Sequence, residues 1–256
     1  MKRWIRRLKH GLKWLLAPIS VPIRSGPLAG YRWAAATGSR FISGTYEPYK
    51  TRVFLDVIRP GEVTVDVGAH VGYYVALAAK LVGAEGKVVA FEPRPLNLRF
   101  LKQHVCANHL DNVEIVEAGV ADRSGTAKFD TGFGTGTGRL AEGGDLTVPT
   151  VSLDDFFHRG DLSRVGFLKI DVEGGEVDVL NGGAEMIRDQ LPVILVATHE
   201  DRLHENVIGF LDDLGYRHRV LDAAGSSGDT EVLAMPPRHS DDEPIEPAED
   251  SAPACP

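Results

Sequence analysis

Short runs of β-branched and aliphatic residues alternate along the chain with segments whose apolar residues recur at helical spacing. This alternation is typical of a parallel sheet covered by helices on both faces, which is the doubly wound α/β class. The predicted strands are residues 63–67, 87–91, 113–118, 167–171 and 193–198, followed by a hairpin of 217–221 and 231–234. The predicted helices are residues 72–82, 95–108, 176–190 and 205–214.

Two stretches interrupt this alternation. Residues 16–60 are punctuated by proline and glycine, and they predict a cap that precedes the first strand. Residues 126–151 surround a glycine-rich run at 131–138 and predict extended segments, followed by a short helix at 152–157. An insertion of this kind is either a loop that faces the substrate or a mobile surface hairpin without a role.

Charge is distributed unevenly between the two ends of the chain. The first fifty residues contain ten lysines and arginines but a single acid, Glu47. Residues 238–256 are instead acidic, rich in proline and almost without large apolar side chains, so they predict a disordered tail. The formal net charge of −8 would repel a polyphosphate backbone, and we therefore expect no nucleic-acid substrate.

The basic start of the chain predicts a short amphipathic helix. Four apolar residues from Trp4 to Leu15 fall on one helical face, which would suit an anionic membrane surface but is more typical of a solvated accessory helix. No apolar stretch approaches the roughly 20 residues that cross a bilayer. Cys106 and Cys255 provide no disulfide framework, so we expect a cytoplasmic protein, and no pattern indicates its oligomeric state.

The first predicted strand runs into a turn of small residues. Gly68, Ala69 and Gly72 would let backbone N–H groups approach a ligand closely. Glu92 ends the next strand, twenty residues after Gly72, where a carboxylate can accept hydrogen bonds from both hydroxyls of a ribose. Because ligands of open α/β sheets bind beyond the carboxyl ends of the strands, these residues predict a site for a nucleoside cofactor.

Two cofactor classes use this arrangement. Nicotinamide dinucleotides require G-x-G-x-x-G, whose middle glycine contacts the pyrophosphate, whereas residues 68–72 read Gly-Ala-His-Val-Gly. Asp66 would attract the cationic methionine moiety of S-adenosyl-L-methionine and repel a pyrophosphate, unless it bonds the amides of its own turn. His70 would either line the cofactor pocket or pack within the loop. We therefore predict S-adenosylmethionine, with a nicotinamide-dependent oxidoreductase or a non-catalytic nucleoside-binding protein as alternatives.

The fourth predicted strand ends in several carboxylates. Asp171 and Glu173 are two residues apart on extended chain and should face the same side, although Glu173 could instead cap the next helix. Methyl transfer to a hydroxyl requires positioning and removal of a proton, which makes both residues catalytic candidates. His199, after the fifth strand, is a third candidate base or a surface histidine. Together with Glu200 these groups suit Mg²⁺, but no dedicated spacing supports a metal site and we predict none.

Four motifs, in this order, resemble the FkbM family of methyltransferases over about residues 44–215. They are Gly44-Thr-Tyr-Glu-Pro48, Val65-Asp-Val-Gly-Ala-His-Val-Gly-Tyr-Tyr74, Phe91-Glu-Pro93 and Leu168-Lys-Ile-Asp-Val-Glu-Gly-Gly-Glu176. The resemblance implies a class I, Rossmann-like fold with a seven-stranded, mostly parallel sheet and a C-terminal hairpin. It also implies that S-adenosylmethionine donates a methyl group to a hydroxyl of a small molecule, most often a sugar, glycan or secondary metabolite.

By position, the resemblance also assigns individual residues. Gly68 and Gly72 correspond to the cofactor loop, Glu92 to the acid that binds the ribose, and Asp171 to the reaction end of the crevice. Glu47, in the upstream motif, is expected to reach the cofactor. The resulting division of the chain is a basic segment and cap at 1–43, a methyltransferase domain at 44–237 and the acidic tail at 238–256.

Overall fold

The computed structural model of the chain describes residues 19–132, 138–158, 164–199, 201–221 and 230–237. The basic amphipathic start, Glu200 and the predicted acidic tail lie outside the described residues. In the described part of the chain, no helix combines the length and the hydrophobicity that a membrane crossing requires.

The strands are β1 Ser20–Pro22, β2 Arg32–Ala34, β3 Val63–Val67, β4 Lys87–Phe91, β5 Val113–Val116, β6 Gly119–Val120, β7 Gly125–Asp130, β8 Arg139–Leu140, β9 Leu146–Val151, β10 Val165–Ile170, β11 Val193–Thr198, β12 Arg217–Leu221 and β13 Thr230–Met235. The α-helices are α1 Ser39–Ser43, α2 Pro48–Val57, α3 Tyr73–Val82, α4 Pro95–Ala107, α5 Leu153–His158, α6 Glu176–Asn181, α7 Ala184–Gln190 and α8 Asp201–Asp213.

The main sheet has seven strands in the order β12-β13-β11-β10-β3-β4-β5. The five strands from β11 to β5 are parallel, and β13 and β12 add an antiparallel hairpin at one edge. The predicted class I architecture is therefore confirmed. The chain proceeds outward from β3 in one direction and from β10 in the other, so the switch in strand order falls between these two strands, where a ligand crevice is expected.

A smaller sheet follows β5 and has the order β6-β9-β7-β8. Strand β6 precedes the predicted insertion at 126–151, whose extended segments are confirmed at β7 and β9, and α5 follows as the predicted short helix. Residues 133–137 of the glycine-rich run lie outside the described residues. Residues of this four-stranded sheet line a cavity at the carboxyl end of the main sheet.

The cap packs into the main core through Trp33. Its indole is fully buried and stacks on the ring of His104 in α4, with 3.6 Å between ring centroids. His104 accepts a hydrogen bond from the backbone N–H of Ala34 at Nε2, so its Nδ1–H donates to the carbonyl of Val71. Burial lowers the pKa of His104 to about 4 and keeps the ring in this neutral form. The ring thereby joins the cap to the turn that follows β3.

Two predicted elements differ from the observed ones. The single helix predicted at 176–190 is divided into α6 and α7 at Gly182 and Gly183, where glycine weakens a helix; a Cβ on Gly182 would collide with the carbonyl oxygen of Ala121. The strand predicted at 113–118 ends at Val116, since the N–H of Ala118 turns back to bond the carbonyl of Val116. The second difference directs the chain from β5 into the four-stranded sheet.

Candidate active site

A cavity of about 630 Å³ lies beyond the carboxyl ends of β3, β4 and β10. Its volume is within the range of small-molecule sites. The strand ends form its base, while α1 and α2 of the cap and β8 of the four-stranded sheet contribute further lining residues. Six of the predicted site residues line it, namely Glu47, Gly68, His70, Glu92, Asp171 and Glu173.

Gly68 lies where the end of β3 contacts the end of β10 at the base of the cavity. Its φ of 82° is in the left-handed region, and a Cβ on it would collide with the carbonyl oxygen of Asp171. Only glycine fits this contact between the ends of β3 and β10. Gly72 differs from its prediction, because it does not line the cavity; a Cβ there would meet Leu101 of α4, so its small size serves helix packing.

Glu92 is the buried carboxylate of the cavity, with 4% of its surface exposed. One oxygen accepts the backbone N–H of Arg94 at 2.9 Å and the amide of Asn97 at 3.3 Å, while the other accepts the N–H of His70 at 2.8 Å. Burial raises the pKa of Glu92 to about 7, although these donors oppose the shift. Glu92 therefore fixes the glycine turn and titrates near neutral pH.

Asp66 does not reach the cavity, contrary to its predicted contact with a cationic ligand. The register of β3 against β10 pairs Asp66 with Lys169, and the two side chains form an ion pair of 2.9 Å with 2% and 4% of their surfaces exposed. Lys169 also donates to the carbonyl of Gly68 at 3.0 Å. Asp66 is thus a buried counterion for Lys169, and Lys169 in turn bonds the glycine turn at Gly68.

Lys50 of α2 joins three elements around the cavity. Its ammonium lies 2.6 Å from Glu231 of β13, 3.2 Å from Asp171 and 3.3 Å from Glu47. Burial disfavours the charge, but these carboxylates outweigh it and raise the pKa of Lys50 well above its usual value. The ammonium is therefore a permanent positive charge in the wall of the cavity.

Asp171 lies between the two buried lysines. Lys50 is 3.2 Å and Lys169 3.7 Å from its Oδ2. Burial alone would raise its pKa, yet Lys50, Lys169 and His199 together hold the pKa of this carboxyl well below its usual range. Asp171 consequently stays ionised but is a poor acceptor of protons.

Glu47 precedes α2 with a φ of 37°, an unusual value for a residue with a side chain. Its carboxylate accepts the hydroxyl of Tyr74 at 2.8 Å and is paired with Lys50. The carboxylate lines the cavity next to the lysine, so the cap contributes an acid to the site as well as a cover.

His199 does not line the cavity, which departs from its predicted role as a base in contact with substrate. Its Nδ1 bonds Glu176 at 2.6 Å, and its Nε2 lies 3.8 Å from Asp171 and 3.7 Å from Glu173. Burial opposes a charge on the ring, but the bond to Glu176 and the nearby carboxylates raise its pKa to about 9. At neutral pH the ring is a cation that balances the carboxylates in front of it.

The same three side chains are spaced closely enough for one metal ion. The nearest ligand atoms of Asp171, Glu173 and His199 all lie within 4.8 Å of one another. Glu200, the fourth residue considered for Mg²⁺, lies outside the described residues.

Comparisons with known proteins identify the family. A model of the FkbM methyltransferase domain matches residues 66–218, which is more than half of the chain. The chain belongs to the FkbM methyltransferase family. Among curated proteins, it is 27% identical over 134 residues to the hexuronic acid methyltransferase AglP of Haloferax volcanii. It is 25% identical over 149 residues to the 2-O-methyltransferase NoeI of Sinorhizobium fredii, and 27% over 176 residues to the 31-O-demethyl-FK506 methyltransferase FkbM of Streptomyces tacrolimicus.

Each of these matches covers only part of this chain and part of the relative. They span 51%, 50% and 56% of this chain and 54%, 60% and 67% of the AglP, NoeI and FkbM proteins, respectively. Among solved structures, the FkbM methyltransferase of Methylobacillus flagellatus shares the fold with a TM-score of 0.52 and 18% identity, covering 77% of this chain and 52% of that one. The comparisons give no support to the nicotinamide-dependent alternative.

The site of this FkbM family member also contains residues that the sequence analysis missed. Lys169 carried a signal, because a lysine among the apolar residues of β10 requires a buried counterion. Lys50 and Glu231 carried none, since their pairing depends on how α2 and β13 meet at the edge of the sheet. Tyr74 lay within the first glycine motif, but only the fold brings its hydroxyl to Glu47.

Proposed function

We propose that this protein transfers a methyl group from S-adenosylmethionine to a hydroxyl of a sugar, glycan or secondary metabolite. The observation that carries the proposal is the buried Glu92 carboxylate, which lines the cavity and holds the glycine turn. The relatives named for hexuronic acid, 2-O and 31-O-demethyl-FK506 methylation support an oxygen acceptor.

The residues of the cavity fit the methyl donor. Gly68 lacks a side chain where the chain turns beneath the cavity, and Glu92 offers one carboxylate oxygen to a ribose hydroxyl beside it. Each carboxylate oxygen has two acceptor sites, and the donor to Oε2 of Glu92 is the N–H of His70. Glu47, 39% exposed, can accept hydrogen bonds from the ammonium of the methionine moiety. In this proposal Glu47, and not Asp66, binds the cationic methionine moiety.

Glu173 is the proton acceptor in this proposal. It lines the cavity next to Asp171, and Asp171 is itself a poor proton acceptor because Lys50 and Lys169 hold its pKa well below the usual range. S-Adenosylmethionine supplies an electrophilic methyl group. The bound donor would give this methyl group to the hydroxyl oxygen of the acceptor, its sulfur would keep the electron pair of the carbon–sulfur bond, and Glu173 would take the hydroxyl proton. His199, behind both carboxylates, is a positioning residue.

Transfer of labelled methyl groups tests the proposal. The wild-type protein, with S-adenosylmethionine labelled in its methyl group, should label a component of a glycan and metabolite extract of its host. Glu173→Gln should lower kcat by about 100-fold or more, because general bases typically contribute at least this much, and should leave donor affinity unchanged. Glu85→Gln, at an exposed position away from the cavity, is the matched control and should keep full activity.

Two results would contradict this reading in different ways. Absence of any labelled product with the wild-type protein, despite donor binding, would exclude methyl transfer to the extract. Full activity of Glu173→Gln would retain the function but remove Glu173 from its role as proton acceptor.

The affinity for S-adenosylmethionine should fall as the pH drops below about 7. Ribose hydroxyls donate to the ionised carboxylate, so binding favours deprotonated Glu92, whose pKa is raised to about 7. Each pH unit below that value should weaken binding by up to about tenfold. Calorimetric titrations across this range measure the effect. Glu92→Gln lacks the titrating group and should bind weakly at every pH, whereas a constant wild-type affinity would contradict the assignment.

A further inference from the structure

We propose that the methyl acceptor carries an anionic group, a carboxylate or a phosphate ester, and that Arg40 and Arg139 bind it. The inference rests on the proposed function and specifies its substrate class. Both arginines line the cavity, and both are exposed.

The two arginines come from the segments that lie outside the main sheet. Arg40 is in α1 of the cap, and Arg139 is in β8 of the four-stranded sheet. The residues assigned to the donor, Gly68 and Glu92, instead follow the strands β3 and β4. An acceptor that enters over the donor therefore meets the covering segments, and the charged side chains there contribute to its recognition.

Charge distinguishes these arginines from the other cations of the cavity. Lys50 has three carboxylates within 3.3 Å, and Lys169 is paired with Asp66 and Asp171. Among the residues that the structure describes, no carboxylate lies within 4.0 Å of the guanidinium of Arg40 or Arg139. A guanidinium remains charged at all physiological pH values, so the two bring positive charge to the cavity that no described carboxylate pairs directly.

The chemistry of the guanidinium indicates which ligand groups the two arginines would bind. Its planar array of N–H donors matches a carboxylate or phosphate with two parallel hydrogen bonds. S-Adenosylmethionine has a single anionic group, its own carboxylate, so the donor alone does not account for two arginines in the cavity. The next residue after each arginine, Phe41 and Leu140, also lines the cavity and offers an apolar surface to the carbon skeleton of an acceptor.

Binding of three matched sugars to the protein loaded with S-adenosylhomocysteine tests the inference. The probes are 4-nitrophenyl β-D-glucoside, the corresponding glucuronide and the glucoside 6-phosphate, which differ only at carbon 6. We expect the wild-type protein to bind at least one anionic probe about tenfold or more tightly than the glucoside, because charge-assisted hydrogen bonds exceed neutral ones in strength. The tighter of the two anionic probes identifies the preferred group.

Substitution of both arginines should remove this preference. Arg40→Gln with Arg139→Gln should lower the affinity for the preferred anionic probe to that for the glucoside, while affinity for S-adenosylhomocysteine and circular dichroism stay unchanged. Arg219→Gln, at an exposed position of β12 away from the cavity, is the matched control and should retain the preference.

Other outcomes would overturn the inference. Equal binding of all three sugars by the wild-type protein would show that the cavity does not select an anion. A loss of S-adenosylhomocysteine affinity in the double variant, with sugar preference intact, would assign the arginines to the donor carboxylate. Failure of the wild-type protein to bind S-adenosylhomocysteine at all would instead refute the proposed function.

Discussion

Replacing Lys169 by methionine should lower the free energy of unfolding by about 3–5 kcal/mol, the usual cost of removing one partner from a buried ion pair. Lys169 and Asp66 are almost completely buried, and the ammonium also bonds the carbonyl of Gly68. Methionine fills similar volume but leaves the Asp66 carboxylate and the Gly68 carbonyl without this donor. Denaturation in urea, followed by circular dichroism, measures the change.

Two further variants isolate the ion pair. Lys102→Met breaks an exposed pair with Glu117 and should cost less than about 1 kcal/mol. Asp66→Asn combined with Lys169→Met should recover part of the loss, because the uncompensated carboxylate is removed as well. A loss for Lys169→Met no greater than that for Lys102→Met would contradict the structural importance of the buried pair.

Replacing Glu92 by alanine should weaken the binding of S-adenosylmethionine by about 100-fold or more. A hydrogen bond from a ribose hydroxyl to the acceptor site that His70 leaves open on Oε2 of Glu92 contributes about 1.5–3 kcal/mol, and it is lost. The substitution also removes the acceptor for the backbone N–H groups of His70 and Arg94, so the turn itself loses its support. Isothermal titration calorimetry measures the affinity directly.

A second variant separates the loss of binding from a loss of folding. Glu85→Ala removes an exposed glutamate between α3 and β4 and should bind the donor normally. Thermal unfolding of Glu92→Ala, monitored in the absence of donor, reports whether the fold persists. An unchanged affinity in a folded Glu92→Ala protein would show that the donor binds elsewhere.

The central sheet was predictable because its strands carry a local signal. Five β-branched runs, separated by helical patterns, define parallel strands irrespective of the rest of the chain, and Glu92 follows one of them at a fixed point. The break at Gly182 was not predictable in this way. The apolar spacing continues across it, and the contact that requires glycine there comes from Ala121, which follows β6 and is distant in sequence.

The positions of site residues at the strand ends were predicted better than the direction of their side chains. Asp66 and Asp171 both belong to the site region, but the register between β3 and β10 directs Asp66 toward Lys169 and leaves Asp171 in the cavity. The bond from Glu176 likewise draws His199 away from the cavity. Such differences depend on long-range pairing of charges, for which the spacing of residues along one strand contains no information.

The contact between Gly68 and the carbonyl of Asp171 restricts how this enzyme scaffold can diversify. The turn proposed to bind the donor and the strand end beside the proposed proton acceptor cannot move apart without separating the backbone of β3 from that of β10. A new substrate would therefore have to be accommodated by changing the cap and the four-stranded sheet. In this proposal the strand ends hold the groups for the reaction, whereas the cap and the four-stranded sheet determine which substrate is bound.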